Sequence, residues 1–260
     1  RARLLACFST LLAQGSSETE NGMQTFEYDV LVVGGGTAGF GAAVTAGRLG
    51  LSVGLLEATG KIGGVMAFCP GMPWGGGYPQ NRSIGGLFEE LCERLLQRDA
   101  AELRPCTLEN FGPELLYDVD QATLVMHDML LEAGVALHLN TLAHEVSVSQ
   151  SGNSPKIQEI SAFGRLGSLR FQSRQVIDCS GDAEVSTKAG VAYELGDSKG
   201  NMMGATLSFH MMNAPWEKVF AAGDPYFQDY AAKGIAEGRL HPDLSKLYLM
   251  KAFRKDSVFC

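Results

Sequence analysis

The sequence predicts an α/β fold, with a parallel sheet and an added antiparallel layer, on three observations. An apolar run at residues 28–33 passes through a glycine-rich turn into an Ala- and Gly-rich stretch, and a second apolar run follows at 52–57. That order is a β-α-β unit, whose crossover is parallel and right-handed. Between residues 135 and 171, short alternating runs are separated by turn residues, the pattern of antiparallel strands. Finally, 260 residues with 45% apolar and 19% charged positions make an ordinary globular composition, large enough for a sizeable core.

Each element has its own reason. Tyr-Asp-Val-Leu-Val-Val at 28–33 is apolar on both faces, as a strand buried between layers must be. Residues 38–49 carry small side chains that let a helix lie close to a sheet, and Gly50 is suited to end it. Residues 52–57 read as the second strand. From 60 to 86 the chain is loop-like, with Pro70, Pro73, Pro79 and three consecutive glycines at 75–77. Loops of that length are usually functional. Residues 87–96 resume helical spacing through Leu87, Leu91 and Leu95. Asp120 is expected to cap a further helix, with Leu124, Met129, Leu130 and Ala133 on one face and Gly134 as its stop. Strands are expected at 135–139, 145–149, 157–163, 168–171 and 175–179, with turns at 151–155 and 164–167. Another strand is expected at 205–211, and a helical, aromatic-bearing stretch at 216–240.

Composition removes several classes of function. The net charge of −8 and pI near 5.2 disfavour nucleic acid, whose backbone is bound by clustered Lys and Arg. No apolar run is long enough to span a bilayer. The six cysteines, at 7, 69, 92, 106, 179 and 260, have no C-x-x-C spacing and read as reduced thiols. His127, His138, His144, His210 and His241 are scattered, so no metal site is expected. The chain opens at Arg1, and RARLLACFSTLLAQG has the basic start and short apolar run of a weak secretory signal. The expectation is that Met23 is the natural start, residues 1–22 are a leader or upstream segment, and the location is cytoplasmic. An exported or organellar protein is the alternative if residues 1–22 are a targeting peptide.

Glycine is concentrated: 17 of the 32 glycines lie between Gly34 and Gly86. Within that stretch, Gly34, Gly36 and Gly39 fit G-x-G-x-x-G between strand and helix. The first permits a tight turn, the second lets backbone approach a pyrophosphate, and the third allows close helix–strand packing. The free N–H groups of the helix start face the anion. Glu57 follows at the end of the second strand, where a carboxylate can accept both ribose hydroxyls of an adenosine and repels a 2′-phosphate. The fingerprint alone does not choose between FAD and NAD.

YDVLVVGGGTAGFGAAVTAGRLGLSVGLLE followed by KIGGVM resembles the N-terminus of FAD-dependent oxidoreductases of the glutathione-reductase-like superfamily. Within it, the family related to the fumarate reductase flavoproteins is the most similar. SIGGLFEELCERL, YDVDQATLVMHDMLLEAGVALHLNTLAHEV and QVIDCSGDAEVSTKAGV resemble that family's successive blocks, over residues 26–213. The resemblance implies a Rossmann-like FAD-binding domain with a parallel sheet, an antiparallel β layer and a partial α+β substrate domain. It implies that Gly34, Gly36, Thr37, Ala38 and Gly39 cradle the FAD pyrophosphate and that Glu57 holds the adenosine ribose. Gly63, Gly64, Val65 and Met66 would run along the ribityl chain, Ala143 would pin adenine through its backbone, and Ser180, Gly181 and Asp182 would abut the dinucleotide. The glycine-bearing segment with which the superfamily closes its FAD site is not found after Gly181, so a fragment is expected. The redox cysteine pair of disulfide reductases is missing as well, since Cys69 has no close partner in sequence.

The expected organisation is a leader at 1–22, an FAD-binding domain at 23–190 with an insertion near 68–115, and a partial substrate domain at 191–260. The expected function is hydride transfer between a small-molecule organic substrate and FAD. A nucleotide-binding protein or inactive fragment without turnover is one alternative, and an NAD-dependent dehydrogenase is another. Substrate-side candidates are the loop 67–79, the strand 207–211 with His210, and Phe68 and Trp74, and no catalytic residue is assigned.

Overall fold

The structure is a computed structural model that describes residues 16–18, 24–69, 74–75, 85–105, 113–151, 154–165, 167–221, 223 and 226–260. A short strand β1 (Ser16–Glu18) precedes β2 (Gln24–Val33). β2 starts four residues before the expected Tyr28 because ladder partners hold its first residues: β1 pairs with residues 24–26. Helix α1 (Thr37–Arg48) and strand β3 (Val53–Glu57) complete the β-α-β unit. Gly50, at φ +82, ends α1 in the left-handed geometry that favours glycine. A one-turn helix α2 (Val65–Phe68) and a two-residue strand β4 (Trp74–Gly75) lie in the stretch read as loop, the rest of which falls partly outside the described residues.

Helix α3 (Gly86–Gln97) buries Leu91 and Leu95. The strands β5 (Ala101–Pro105) and β6 (Pro113–Tyr117) follow, then helix α4 (Val119–Glu132). α4 corrects two expectations. Asp118, not Asp120, caps it, its Oδ1 accepting the N–H groups of Asp120 and Gln121 at 3.0 Å each. Its buried face is Ala122, Val125, Met126, Met129 and Leu130, while Leu124 is exposed.

Strands β7 (Ala136–Leu139), β8 (Leu142–Ser151) and β9 (Ser154–Gly164) lead to β10 (Gly167–Asp178). The two strands expected at 168–171 and 175–179 are thus one. The polar residues Ser173 and Arg174 do not break it, because β2 pairs with β10 from Leu169 to Asp178. Helix α5 (Glu184–Lys188) comes next. The strand expected at 205–211 contracts to β11 (His210–Met212), the part that has a ladder partner. The helical stretch expected at 216–240 divides into α6 (Trp216–Val219) and α7 (Gln228–Ala236), with Gly223 and Phe227 at positive φ between them. Strands β12 (Met250–Lys251) and β13 (Ser257–Phe259) close the described chain. Among the described residues, no helix is long and apolar enough to cross a membrane.

The chain divides into two compact units, residues 1–64 with 126–203, and residues 65–125 with 204–260. The first unit holds a seven-stranded sheet in the order β7-β3-β2-β10-β9-β8, with β1 on β2. β7, β3, β2 and β10 are parallel, and β10, β9 and β8 are antiparallel. β3 is buried along its whole length, as a strand covered on both faces must be. β10 joins the two parts: residues 167–171 pair with β9 on one side and residues 169–178 with β2 on the other.

Within this unit, His138 sits among the rings of Phe26, Tyr28 and Phe171, and the Tyr28 hydroxyl lies 2.7 Å from His138 Nε2. Burial pushes the His138 pKa down to about 4 and the Tyr28 phenol up to about 12. A histidine kept neutral in the fold but free to protonate when unfolded stabilises fully above its ordinary value of 6.5, and that contribution is lost as pH falls toward 4. The protein is expected to lose about 2 kcal/mol from this site between about pH 7 and about pH 5. Urea midpoints across that range check it: the slope flattens in His138→Gln, and parallel slopes for the two proteins refute it.

The second unit carries two three-stranded antiparallel sheets, β4-β6-β5 and β11-β13-β12. Trp74 stacks on Tyr117 with ring centroids 4.1 Å apart and lies 5.6 Å from Phe88.

Candidate functional site

The parallel strands run in an order that reverses at β2. The chain leaves β2 through α1 toward β3 and β7 on one side, whereas β10 returns on the other. Ligands of open α/β sheets bind outside the carboxyl ends of the strands at such a reversal. Here the two carboxyl ends are bonded together, Cys179 N–H donating to the Val33 carbonyl at 2.7 Å.

Gly34 turns the chain at φ +103, and a Cβ there would lie 2.1 Å from the Cys179 carbonyl oxygen. At Gly39 a Cβ would lie 1.8 Å from the Gly34 carbonyl oxygen. Both positions therefore admit only glycine, and together they press the α1 start against the end of β2. Gly36 precedes the helix and supplies no side-chain cap, and no acidic residue occupies the first turn. No side-chain cap takes the N–H groups at the α1 start, so those of Ala38 and Gly39 can meet an anion, with the helix dipole adding attraction. Thr37 and Ala38 are exposed and Gly39 is buried.

The Gly63–Gly64 turn comes back alongside this loop. Gly63 N–H donates to the Gly35 carbonyl at 2.8 Å, and Gly36 and Gly63 form a parallel bridge. A Cβ on Gly64 would meet the Gly36 Cα at 2.9 Å. Glu57, 8% exposed at the end of β3, accepts the Gly35 N–H on Oε2 at 2.7 Å. Its Oε1 accepts the Thr59 N–H at 2.8 Å and the Thr59 hydroxyl at 2.7 Å.

Beyond β10, the segment 180–186 is organised by Asp178. Its Oδ1 accepts the Ser180 N–H and hydroxyl, and its Oδ2 accepts those of Ser186. Burial pushes this carboxyl up, but the four hydrogen bonds outweigh it and hold the pKa below the usual carboxylate range. Ser180 Oγ in turn accepts the Glu184 N–H at 2.9 Å. The start of α5 is therefore satisfied by side chains, whereas that of α1 is not.

The structure thus brings Gly34, Gly36, Gly39, Glu57, Gly63, Gly64 and Ser180 to one locus. Ala143 is tied to it at one remove: Thr141 N–H donates to the Glu57 carbonyl at 2.9 Å, and Ala143 lies buried in β8 beside a register shift before Glu145. Gly181 and Asp182 are exposed on the turn after β10. Val65 and Met66 belong to the second unit, Val65 exposed and Met66 buried. Of the substrate-side candidates, Trp74 is packed as described above, Phe68 is exposed, and His210 lies edge-on to Phe259 at 6.2 Å. Sequence reasoning missed three contributors: the Gly35 N–H, Thr59 and Asp178. The spacings Glu57-x-Thr59 and Asp178-x-Ser180 were the available signals.

The cradle fits a dinucleotide on its own geometry. It offers an uncapped helix start, backbone that could not approach so closely if side chains intervened, and a shielded carboxylate one strand away.

A model of the FAD dependent oxidoreductase family matches residues 29–250. No curated protein matches the sequence significantly. Among solved structures, THI4 of Thermovibrio ammonificans is 20% identical with a TM-score of 0.49, over 74% of this chain and 69% of that one. The 3-ketosteroid-delta4-(5alpha)-dehydrogenase of Rhodococcus jostii RHA1 is 18% identical with a TM-score of 0.44, over 64% of this chain and 48% of that one. At this level of similarity neither bears on substrate.

Proposed function

Because the chain belongs to the FAD dependent oxidoreductase family, whose cofactor is FAD, we propose that it holds FAD at the reversal between β2 and β10 and passes a hydride between that flavin and a small organic substrate. The observation that carries the placement is the uncapped α1 start enclosed by Gly34, Gly64 and Ser180, with Glu57 beside it. In this reading the N–H groups of Thr37, Ala38 and Gly39 neutralise the pyrophosphate, and Gly36 leaves room for its approach. Glu57 accepts from the adenosine ribose, and the N-terminal end of β8 around Ala143 faces the adenine. Gly63 and Gly64, with Val65 and Met66 after them, follow the ribityl chain, and Ser180, Gly181 and Asp182 border it from β10.

FAD supplies the two-electron chemistry when bound, and the chain supplies position and electrostatics. The second unit, with its two small antiparallel sheets, is assigned to the substrate. The test is the visible spectrum of the purified chain after incubation with FAD. Paired flavin bands that bleach under an anaerobic reductant are expected, with FAD in the supernatant after heating. A chain that stays colourless with excess FAD refutes the assignment.

A further inference from the structure

We propose that Thr59 is a positioning residue for adenosine-ribose recognition, acting through the Glu57 carboxylate; the inference rests on the FAD site proposed above. Thr59 places both its N–H and its hydroxyl on Oε1 of Glu57, at 2.8 and 2.7 Å. The other oxygen, Oε2, is held by the Gly35 N–H at 2.7 Å. An ionised carboxylate offers about four acceptor sites. Three are filled by the chain itself, so about one remains, on Oε2, for a ribose hydroxyl.

The direction of that remaining site depends on the plane of the carboxylate. The terminal torsion of a glutamate is soft and broad, so hydrogen bonds rather than rotamer preference set the plane. Thr59 is itself rigidly placed. Its carbonyl accepts the Asn140 N–H at 2.9 Å, and its Oγ1 accepts the Lys61 N–H at 3.3 Å. The Lys61 carbonyl lies 3.1 Å from Oγ1, farther than the Glu57 oxygen, so the single hydroxyl proton goes to Glu57. Thr59 thereby joins the β3 end to the turn at 140, and its hydroxyl locks the carboxylate against the phosphate-binding loop. Valine has the same shape and lacks the hydroxyl, so Thr59→Val removes one of the three hydrogen bonds that set the plane, along with the long contact from the Lys61 N–H, and keeps the two backbone donors on the carboxylate.

The experiment measures binding of FAD, ADP and 2′,3′-dideoxy-ADP to the full chain and to the Thr59→Val and Thr59→Ser variants, with thermal unfolding of each unliganded protein alongside. Loss of one charge-assisted hydrogen bond is expected to weaken FAD by about tenfold in Thr59→Val. The wild-type preference for ADP over its dideoxy analogue should shrink by a similar factor, while Thr59→Ser keeps it. A purely structural role weakens both nucleotides equally and leaves the preference intact, which overturns the proposal. So does wild-type FAD binding in Thr59→Val. A wild-type protein that binds FAD yet shows no preference for ADP over the dideoxy analogue fails differently: it overturns the placement of Glu57 on the ribose, and the role of Thr59 with it.

Discussion

Gly39→Ala is expected to abolish FAD binding and to destabilise the fold, whereas Gly41→Ala, two residues along the same helix, is expected to stabilise it. The Cβ of an alanine at 39 would lie 1.8 Å from the Gly34 carbonyl oxygen and 3.4 Å from Cys179 Cβ. Relief requires α1 to withdraw from β2, and forced overpacking of this kind costs about 1–3 kcal/mol. Withdrawal also spoils the alignment of the Thr37 and Ala38 N–H groups. At Gly41 a Cβ meets nothing within 4 Å, so the substitution chiefly removes the entropic penalty of a mid-helix glycine, worth about 0.5–1 kcal/mol. Urea midpoints and FAD titration on the two variants check the contrast. A Gly39→Ala protein with wild-type stability and affinity contradicts the packing.

Arg104→Met is expected to cost about 3–5 kcal/mol, the usual effect of leaving one member of a buried ion pair alone. Within the second unit, Arg104 Nε donates to Glu114 Oε1 across the β5–β6 hairpin, and their side chains are only 15% and 7% exposed. Arg104 Nη2 also reaches the Lys251 carbonyl at 3.2 Å, tying the hairpin to β12. With the guanidinium gone, the Glu114 carboxylate has lost its water without keeping its partner. The double variant Arg104→Met/Glu114→Leu is expected to recover most of the loss, since well-packed apolar pairs replace buried ion pairs at little cost. Denaturant unfolding of the single and double variants decides between this and a pair that contributes nothing, for which both would match the wild type.

The sequence was most legible where the physics is local. The glycines at 34, 36 and 39, between an apolar run and a small-residue helix, declare a tight turn, since a Cβ at 34 or 39 would strike a carbonyl oxygen, and Glu57 stands at the end of an apolar strand. The left-handed Gly50 after α1 was legible for the same reason. Other elements were misread because their cause lies elsewhere in the chain. Ser173 and Arg174 look like a strand break, yet β2, some 145 residues earlier, holds them extended through pairs such as Ser173 with Tyr28. Asp120 and Asp118 are equally plausible caps by residue type, and it is Asp118 whose carboxylate takes the Asp120 and Gln121 N–H groups in the fold.

By itself, then, the sequence determined the β-α-β unit, its glycine turn and the carboxylate after it, because strand, turn and helix preferences act over a few residues. Tertiary structure alone decided that β10 returns beside β2 and makes the reversal at Val33 and Cys179. It also decided which N–H groups are consumed by Glu57 and Asp178 and which are left open at α1. Those outcomes depend on backbone groups that every residue carries, so side-chain pattern holds no record of them until the chain has closed.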